Sequence, residues 1–239
     1  MWGSETWAWM DFETPGIMAD PKTWENGILG IMVESRGVLT YRCVILDDRL
    51  EKIARIYPQH CIFSPELDFD RVLADLSKIE GLKECEYVFS WSNVDIQMFD
   101  HYFRHHWDGK TVTDNGRASF LGDSGIMCWN ALPDCRRLGR ELYKTRKPHQ
   151  LKKYMDLLGI EHPPGSVASN IIRELKTCWQ MDNSGISERE ERLSHQLLQY
   201  NYYDCFGLRG VMSTLHSEAG EGENFPNLDI LAHPDFRLS

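Results

Sequence analysis

The stretch "SHQLLQYNYYDCFGLRGVMSTL" (194–215) constrains this chain more than any other. From Leu193 onward, Leu193, Leu197, Tyr200, Asp204, Leu208, Val211 and Leu215 recur at steps of three and four. That is the spacing of one helical face, and it predicts a helix over 187–216. A stripe this long must lie against a broad apolar surface. One position interrupts it. Asp204 puts a carboxylate in the middle of a core face, which is costly unless the group is paired, protonated or bound to a metal. No Lys or Arg shares the stripe. Tyr200 lies one turn earlier on the same face, in reach of whatever Asp204 serves, whereas Tyr202 and Tyr203 point elsewhere.

The first half of the chain supplies the surface. Residues 7–13, 27–34 and 38–46 are short, rich in β-branched and aromatic residues, and separated by the turn signals "ENG" and "SRG", so they read as strands with a tight hairpin between the last two. In "WAWMDFETPG" (7–16), Asp11 and Glu13 alternate and therefore share one face of a strand. Two adjacent carboxylates repel each other, and a hard divalent cation, which takes oxygen ligands, resolves the conflict. The alternative is a solvated strand end followed by a turn at Pro15-Gly16.

Further along, apolar spacing predicts a helix at 68–79, a buried strand at 85–91 and a helix through "VDIQMFDHYFRHH". Residues 107–127 are turn-rich and read as a hairpin insertion near a substrate groove. Helices follow at 134–145, 148–158 and 166–179. Strands first and helices later imply an α/β fold, a mixed sheet flanked by helices. The chain divides into a flexible N-terminus (1–6), one domain (7–216) and a C-terminal tail (217–239), the tail being a candidate dock for a protein partner.

With 239 residues and 42% hydrophobic side chains the chain can bury a full core. No apolar run of 18 residues exists, which argues against a membrane span. The seven cysteines are irregularly spaced without a CxxC pair, and no secretory pattern opens the chain, so reduced thiols and a cytoplasmic location are expected. A net charge of -10 speaks against a polyanionic partner, but "DCRRLGRELYKTRKPHQLKK" (134–153) carries eight Lys or Arg against two acids. On a helix, Arg136, Arg140 and Lys144 align at i, i+4 and i+8 as a basic ridge, either a track for nucleic-acid phosphates or a solvated helix face.

"MDFETPG" and "QYNYYDCFGL" together resemble the opening D-x-E and closing Y-x-x-x-D motifs of the DEDD group of 3′→5′ exonucleases, in the ribonuclease H-like superfamily. The similarity is to the tyrosine subclass, found in proofreading domains of family B DNA polymerases and in stand-alone nucleases. The histidine subclass would place His where Gln199 stands. The middle motif, "VFSWSNVDIQMF", departs from the pattern: Val94 replaces the usual aromatic residue, and Trp91 or Ser90 stands where Asn is common. "KPHQLKKYMDLLGIEHPPG" is similar to the segment that precedes the last helix in this group. The resemblance implies a ribonuclease H-like mixed β-sheet. It also implies that Asp11, Glu13, Asp95 and Asp204 hold two Mg²⁺ or Mn²⁺ ions, which activate a water and stabilise the leaving 3′-oxygen, with Tyr200 orienting that water. The substrate would be the 3′ end of single-stranded DNA or RNA, DNA ahead of RNA, and the products 5′-nucleotides. Phe12 and Trp91 are candidates to stack on terminal bases, the alternative being that both are core residues.

Asp100 is the rival to Asp95, which is preferred because it follows directly from a strand; a first-turn acid is also favoured by the helix dipole alone. His101, His105 and His106 offer an HxxxH pair at zinc spacing but no third ligand. Two other functions therefore stand beside the exonuclease: a catalytically silent ribonuclease H-like module that binds nucleic acid or protein, and a zinc-dependent hydrolase.

Overall fold

A strand that pairs on both edges and is covered on both faces must be apolar almost throughout, and "TWAWMDFE" is such a strand. In the computed structural model, which describes residues 6–15, 27–64, 85, 87–91, 94–96, 117–119, 127–144, 150–162, 168–181 and 185–220, this segment is β1 (Thr6–Glu13). It pairs antiparallel with β2 (Ile28–Ser35) on one side. On the other it pairs in parallel with β5 (Tyr87–Ser90). Beyond β2 lie β3 (Val38–Ile45), antiparallel, and β4 (Cys61–Phe63), parallel to β3. Beyond β5 lie β7 (Met127–Asn130), parallel, and β6 (Arg117–Ser119), antiparallel to β7. The sheet order is β4-β3-β2-β1-β5-β7-β6, a mixed sheet as expected.

The β2–β3 turn is Arg36-Gly37, with φ of 51° and 78°. Both central residues are left-handed, the twist a two-residue hairpin requires, and glycine takes the second at no steric cost. A 3₁₀ turn (Asp48–Leu50) and α1 (Glu51–Ile56) return the chain from β3 to β4. Neither α1 nor β4 is expected from the sequence: a six-residue helix and a three-residue strand are too short to show a period. Of the 107–127 segment, 117–119 and 127 are described, and both belong to the sheet. The helix expected at 68–79, the three histidines, Asp100 and residues 221–239 lie outside the described residues. The helix expected from 94 is described only as one helical turn, 94–96.

The second half is helical: α2 (Leu132–Tyr143), α3 (Leu151–Leu158), α4 (Ala168–Met181) and α5 (Glu188–Glu218). α5 begins in a capping box, Ser187 and Glu190 satisfying each other's backbone N–H groups, with Glu188 and Glu191 beside the positive end of the helix dipole. It packs on β1 and β2 and is flanked by α2, α3 and α4. Asn201 of α5 meets Asp11 while Arg209 meets Trp9, so α5 runs antiparallel to β1. The face of β1 beneath it carries Trp7, Trp9, Asp11 and Glu13. The main core forms there from Trp9, Met32, Tyr41, Leu197, Phe206, Leu208 and their neighbours. No helix among the described residues is long and apolar enough to cross a membrane. Cys43, Cys61, Cys85, Cys135, Cys178 and Cys205 are unbridged.

Candidate metal centre

β1 and β5 are parallel neighbours, so the C-terminal end of one lies beside that of the other. β1 delivers Asp11 and Glu13 there, both half-buried. The chain leaving β5 delivers Asp95, buried in the helical turn 94–96. α5 crosses above and brings Asp204 down its core-facing stripe. One oxygen from each of Asp11, Glu13 and Asp204 lies within 4.8 Å of the others. Three positions separated by up to 193 residues in sequence thus share one small volume.

The electrostatics follow from that crowding. Burial, and then the charges of Glu13, Asp204 and Asp95, push the Asp11 carboxyl well above its ordinary range. Burial, and then Asp204, does the same to Glu13. Asp204 is pushed up to about 7, first by burial, with Asp95 adding to it and Lys152 and His162 opposing it. Two unit charges at this separation repel by roughly 3 kcal/mol at an effective dielectric constant of 20. Full ionisation therefore calls for a cation. Asp204 Oδ1 is buried and has no hydrogen-bond partner among the described residues. A buried carboxylate oxygen left without a donor fits a metal ligand, since buried polar atoms are otherwise paired. The donors are all hard oxygens, which suit Mg²⁺ or Mn²⁺.

Asp95 stands beside this group rather than within the tight set of three. Its Oδ1 accepts from the backbone N–H of Phe12 at 3.4 Å, and its charge is felt by Asp11, Glu13 and Asp204. Tyr200 is half-buried at the same place; burial first, then Asp204, Glu13 and Asp11, raises its hydroxyl pKa strongly. Phe12 is buried on the opposite face of β1 from Asp11 and Glu13. Trp91 is half-buried, its ring edge-on to Tyr154 at 5.4 Å. On α2, Arg136 is half-buried and Arg140 exposed; Lys144, expected on the same helix, is instead its exposed left-handed C-cap, just past the end at Tyr143.

Two residues at the site escaped the sequence reading. Lys152, in the first turn of α3, places its Nζ 4.4 Å from the centroid of the Tyr200 ring and lowers the pKa values of both Glu13 and Asp204. The stripe of α5 indeed carries no cation, but a neighbouring helix supplies one. In the sequence Lys152 is one member of a charge run, and nothing local distinguishes it from Lys153. The second is Asn201, fully buried, whose side-chain amide donates to Asp11 Oδ2 at 2.8 Å and to the Asp11 carbonyl at 3.0 Å. A polar amide between two tyrosines of a core helix was the available signal.

No family model matches the chain. No curated protein matches it either. Among solved structures, the chain is similar to one described as a moderately thermophilic Exonuclease I from Methylocaldum szegediense, with 16% identity and a TM-score of 0.40. The alignment covers 80% of this chain and 42% of that one, so this chain spans about two fifths of that protein's length.

Proposed function

We propose that this protein is a metal-dependent 3′→5′ exonuclease acting on single-stranded nucleic acid, DNA ahead of RNA, and releasing 5′-nucleotides. The observation that carries the reading is the convergence of Asp11, Glu13 and Asp204 within 4.8 Å, with the buried Asp204 Oδ1 unpartnered among the described residues. The motif resemblance of "MDFETPG" and "QYNYYDCFGL" supplies the reaction class. Asp11, Glu13 and Asp204, with Asp95 beside them, would hold two Mg²⁺ or Mn²⁺ ions. Such ions, when bound, activate a water and stabilise the leaving 3′-oxygen.

The chain's own groups do the rest. Tyr200 stays protonated, because burial and the neighbouring carboxylates disfavour a phenolate. It is therefore a hydrogen-bonding group that positions water, not a base. Lys152 offers a cation at the rim of the acidic cluster, suited to a phosphate oxygen. Arg136, Arg140 and Lys144 would follow the phosphate backbone farther out.

The test uses 5′-labelled single-stranded DNA and RNA, with free or blocked 3′ ends, in Mg²⁺, Mn²⁺, Zn²⁺ or EDTA. Stepwise shortening from free 3′ ends with Mg²⁺ or Mn²⁺, releasing 5′-mononucleotides, is the expected result. Binding without cleavage under every condition would replace the exonuclease with a silent binding module. Cleavage with Zn²⁺ alone would replace it with a zinc hydrolase.

A further inference from the structure

We propose that Asn201 and Tyr41 form a positioning relay that sets the Asp11 carboxylate for metal binding; the inference rests on the metal-site reading above. Asn201 Nδ2 donates both to the Asp11 carbonyl, at 3.0 Å, and to Asp11 Oδ2, at 2.8 Å. At its other end, Asn201 Oδ1 accepts from the Tyr41 hydroxyl at 2.7 Å. Both relay residues are buried. The bonds link β3 to α5 and α5 to β1, across 160 and 190 positions of sequence.

The sheet makes room for this amide on purpose-shaped ground. Asp11, Gly30 and Cys43 stand in one row across β1, β2 and β3. A Cβ at Gly30 would sit 1.7 Å from Asn201 Oδ1, so any other residue there would expel the amide.

The roles of the two amide ends are not interchangeable. Reversed, Asn201 would point its oxygen at two acceptors, the Asp11 carbonyl and carboxylate. The two Asp11 acceptors therefore set the amide's orientation, and the Tyr41 hydroxyl, which can donate or accept, donates to the amide oxygen that this leaves facing it. A bond to the main-chain carbonyl alone would suffice to pin helix to strand. The second bond reaches the carboxylate itself at Oδ2 and so fixes how the group faces the acidic cluster. Hydrogen bonds of this kind orient metal-binding carboxylates, and their loss commonly weakens metal affinity by about 10- to 100-fold.

The experiment measures Mn²⁺ binding to the full chain by electron paramagnetic resonance of free Mn²⁺, with melting temperature recorded in parallel. Wild type is compared with Tyr41→Phe, Asn201→Ala, the double variant, and Ile53→Val as a core control away from the site. Asn201→Ala should lose about 10- to 100-fold in Mn²⁺ affinity, and Tyr41→Phe about 3- to 10-fold. Because Tyr41 acts through Asn201, the double variant should bind Mn²⁺ no more weakly than Asn201→Ala alone. Ile53→Val should melt earlier and bind Mn²⁺ normally. Wild-type affinity in Tyr41→Phe and Asn201→Ala, or full additivity in the double variant, overturns the relay while leaving the metal site standing. Should Asn201→Ala not fold, the near-isosteric Tyr41→Phe decides alone, and unchanged affinity there overturns the relay. A wild type that binds no Mn²⁺ overturns the metal site and the relay with it.

Discussion

α5 carries charge onto the sheet at two places, and the two are built on opposite principles. Toward its C-terminal half, Arg209 Nε lies 2.8 Å from Glu34 Oε2, with both side chains buried. Its guanidinium also lies 6.0 Å from the Trp9 ring centroid and 5.6 Å from that of Phe206. Five residues earlier, Asp204 meets Asp11 and Glu13, acid against acid. A second compensated site, Lys176 Nζ to Asp47 Oδ2 at 2.7 Å, ties α4 to the chain beyond β3. There burial alone would raise the Asp47 carboxyl, but hydrogen bonds from Arg49 and Lys176 outweigh it and hold the group below its ordinary value. The same helix and sheet thus neutralise charge where the need is structural. Where Asp204 meets Asp11 and Glu13, the described residues set acid against acid with Lys152 at the rim, a group that could hold a metal ion.

The sharpest way to break this contrast is to remove a carboxylate from the uncompensated end. Asp204→Ala should lower turnover by about 10³-fold or more, as expected for losing a ligand common to the reacting centre. It should also abolish the rise in melting temperature on adding Mn²⁺. Cleavage at the wild-type rate would show that Asp204 belongs to the structure and not to the site. At the compensated end the effect falls on stability. Arg209→Met leaves Glu34 buried without its partner and should cost about 3–5 kcal/mol in urea unfolding. Adding Glu34→Leu should recover most of that loss. A double variant as unstable as the single one would show that Arg209 acts through its aromatic contacts instead.

A finer test separates Tyr200 from the acids around it. Tyr200→Phe keeps the ring under Lys152 and removes one hydroxyl, so turnover should fall by about 10- to 1,000-fold while metal and substrate binding persist. Tyr203→Phe should leave turnover unchanged. The reverse pattern would place the water-orienting group on the wrong face of α5.

pH divides the two regions in sign. Asp204 titrates near 4 when unfolded and at about 7 when folded. In metal-free protein its contribution to stability is thus fully present below pH 4 and is lost as pH rises toward 7. Asp47, with its folded value lowered, contributes above pH 4 and is lost on acidification. In EDTA, Asp204→Asn should therefore melt later than wild type, by a margin that grows from pH 4 to 7. A margin that stays flat over that range would mean that the acids are already compensated without metal. The smallest effect is expected at the ridge. Changing Arg136, Arg140 and Lys144 to Glu should weaken nucleic-acid binding and flatten its salt dependence, and an unchanged salt slope would return those residues to a solvated helix face.

Much of the sheet and the order of the helices was legible in the sequence, because the strands and helices concerned are long enough to display their periods. β1 declared its Asp11-x-Glu13 face, and α5 its Tyr200-x-x-x-Asp204 face, within a few residues each. β4 and α1 were not legible, being shorter than a readable period. Asp95 was named as a first-turn acid following a strand, but its bond to the Phe12 backbone depended on β1 lying next to β5. From the sequence Phe12 is either a base-stacking ring or a core residue, and periodicity alone does not choose between them. The alternation that exposes Asp11 to the site turns Phe12 to the other face, where it is buried.

By itself, then, the sequence determined which acids share a strand face and which tyrosine shares a helix face with Asp204. Those relations are set by backbone periods of two and 3.6 residues, fixed by covalent geometry. Only the tertiary structure decided that Lys152 and not Lys153 reaches the cluster, that Asn201 holds Asp11, and that Gly30 leaves the space for it. Each of those depends on where α3, α5 and β2 come to rest against one another. Packing at a separation of 160 or 190 residues has no period to read, since it is fixed by the shapes of whole faces and not by the order of neighbours along the chain.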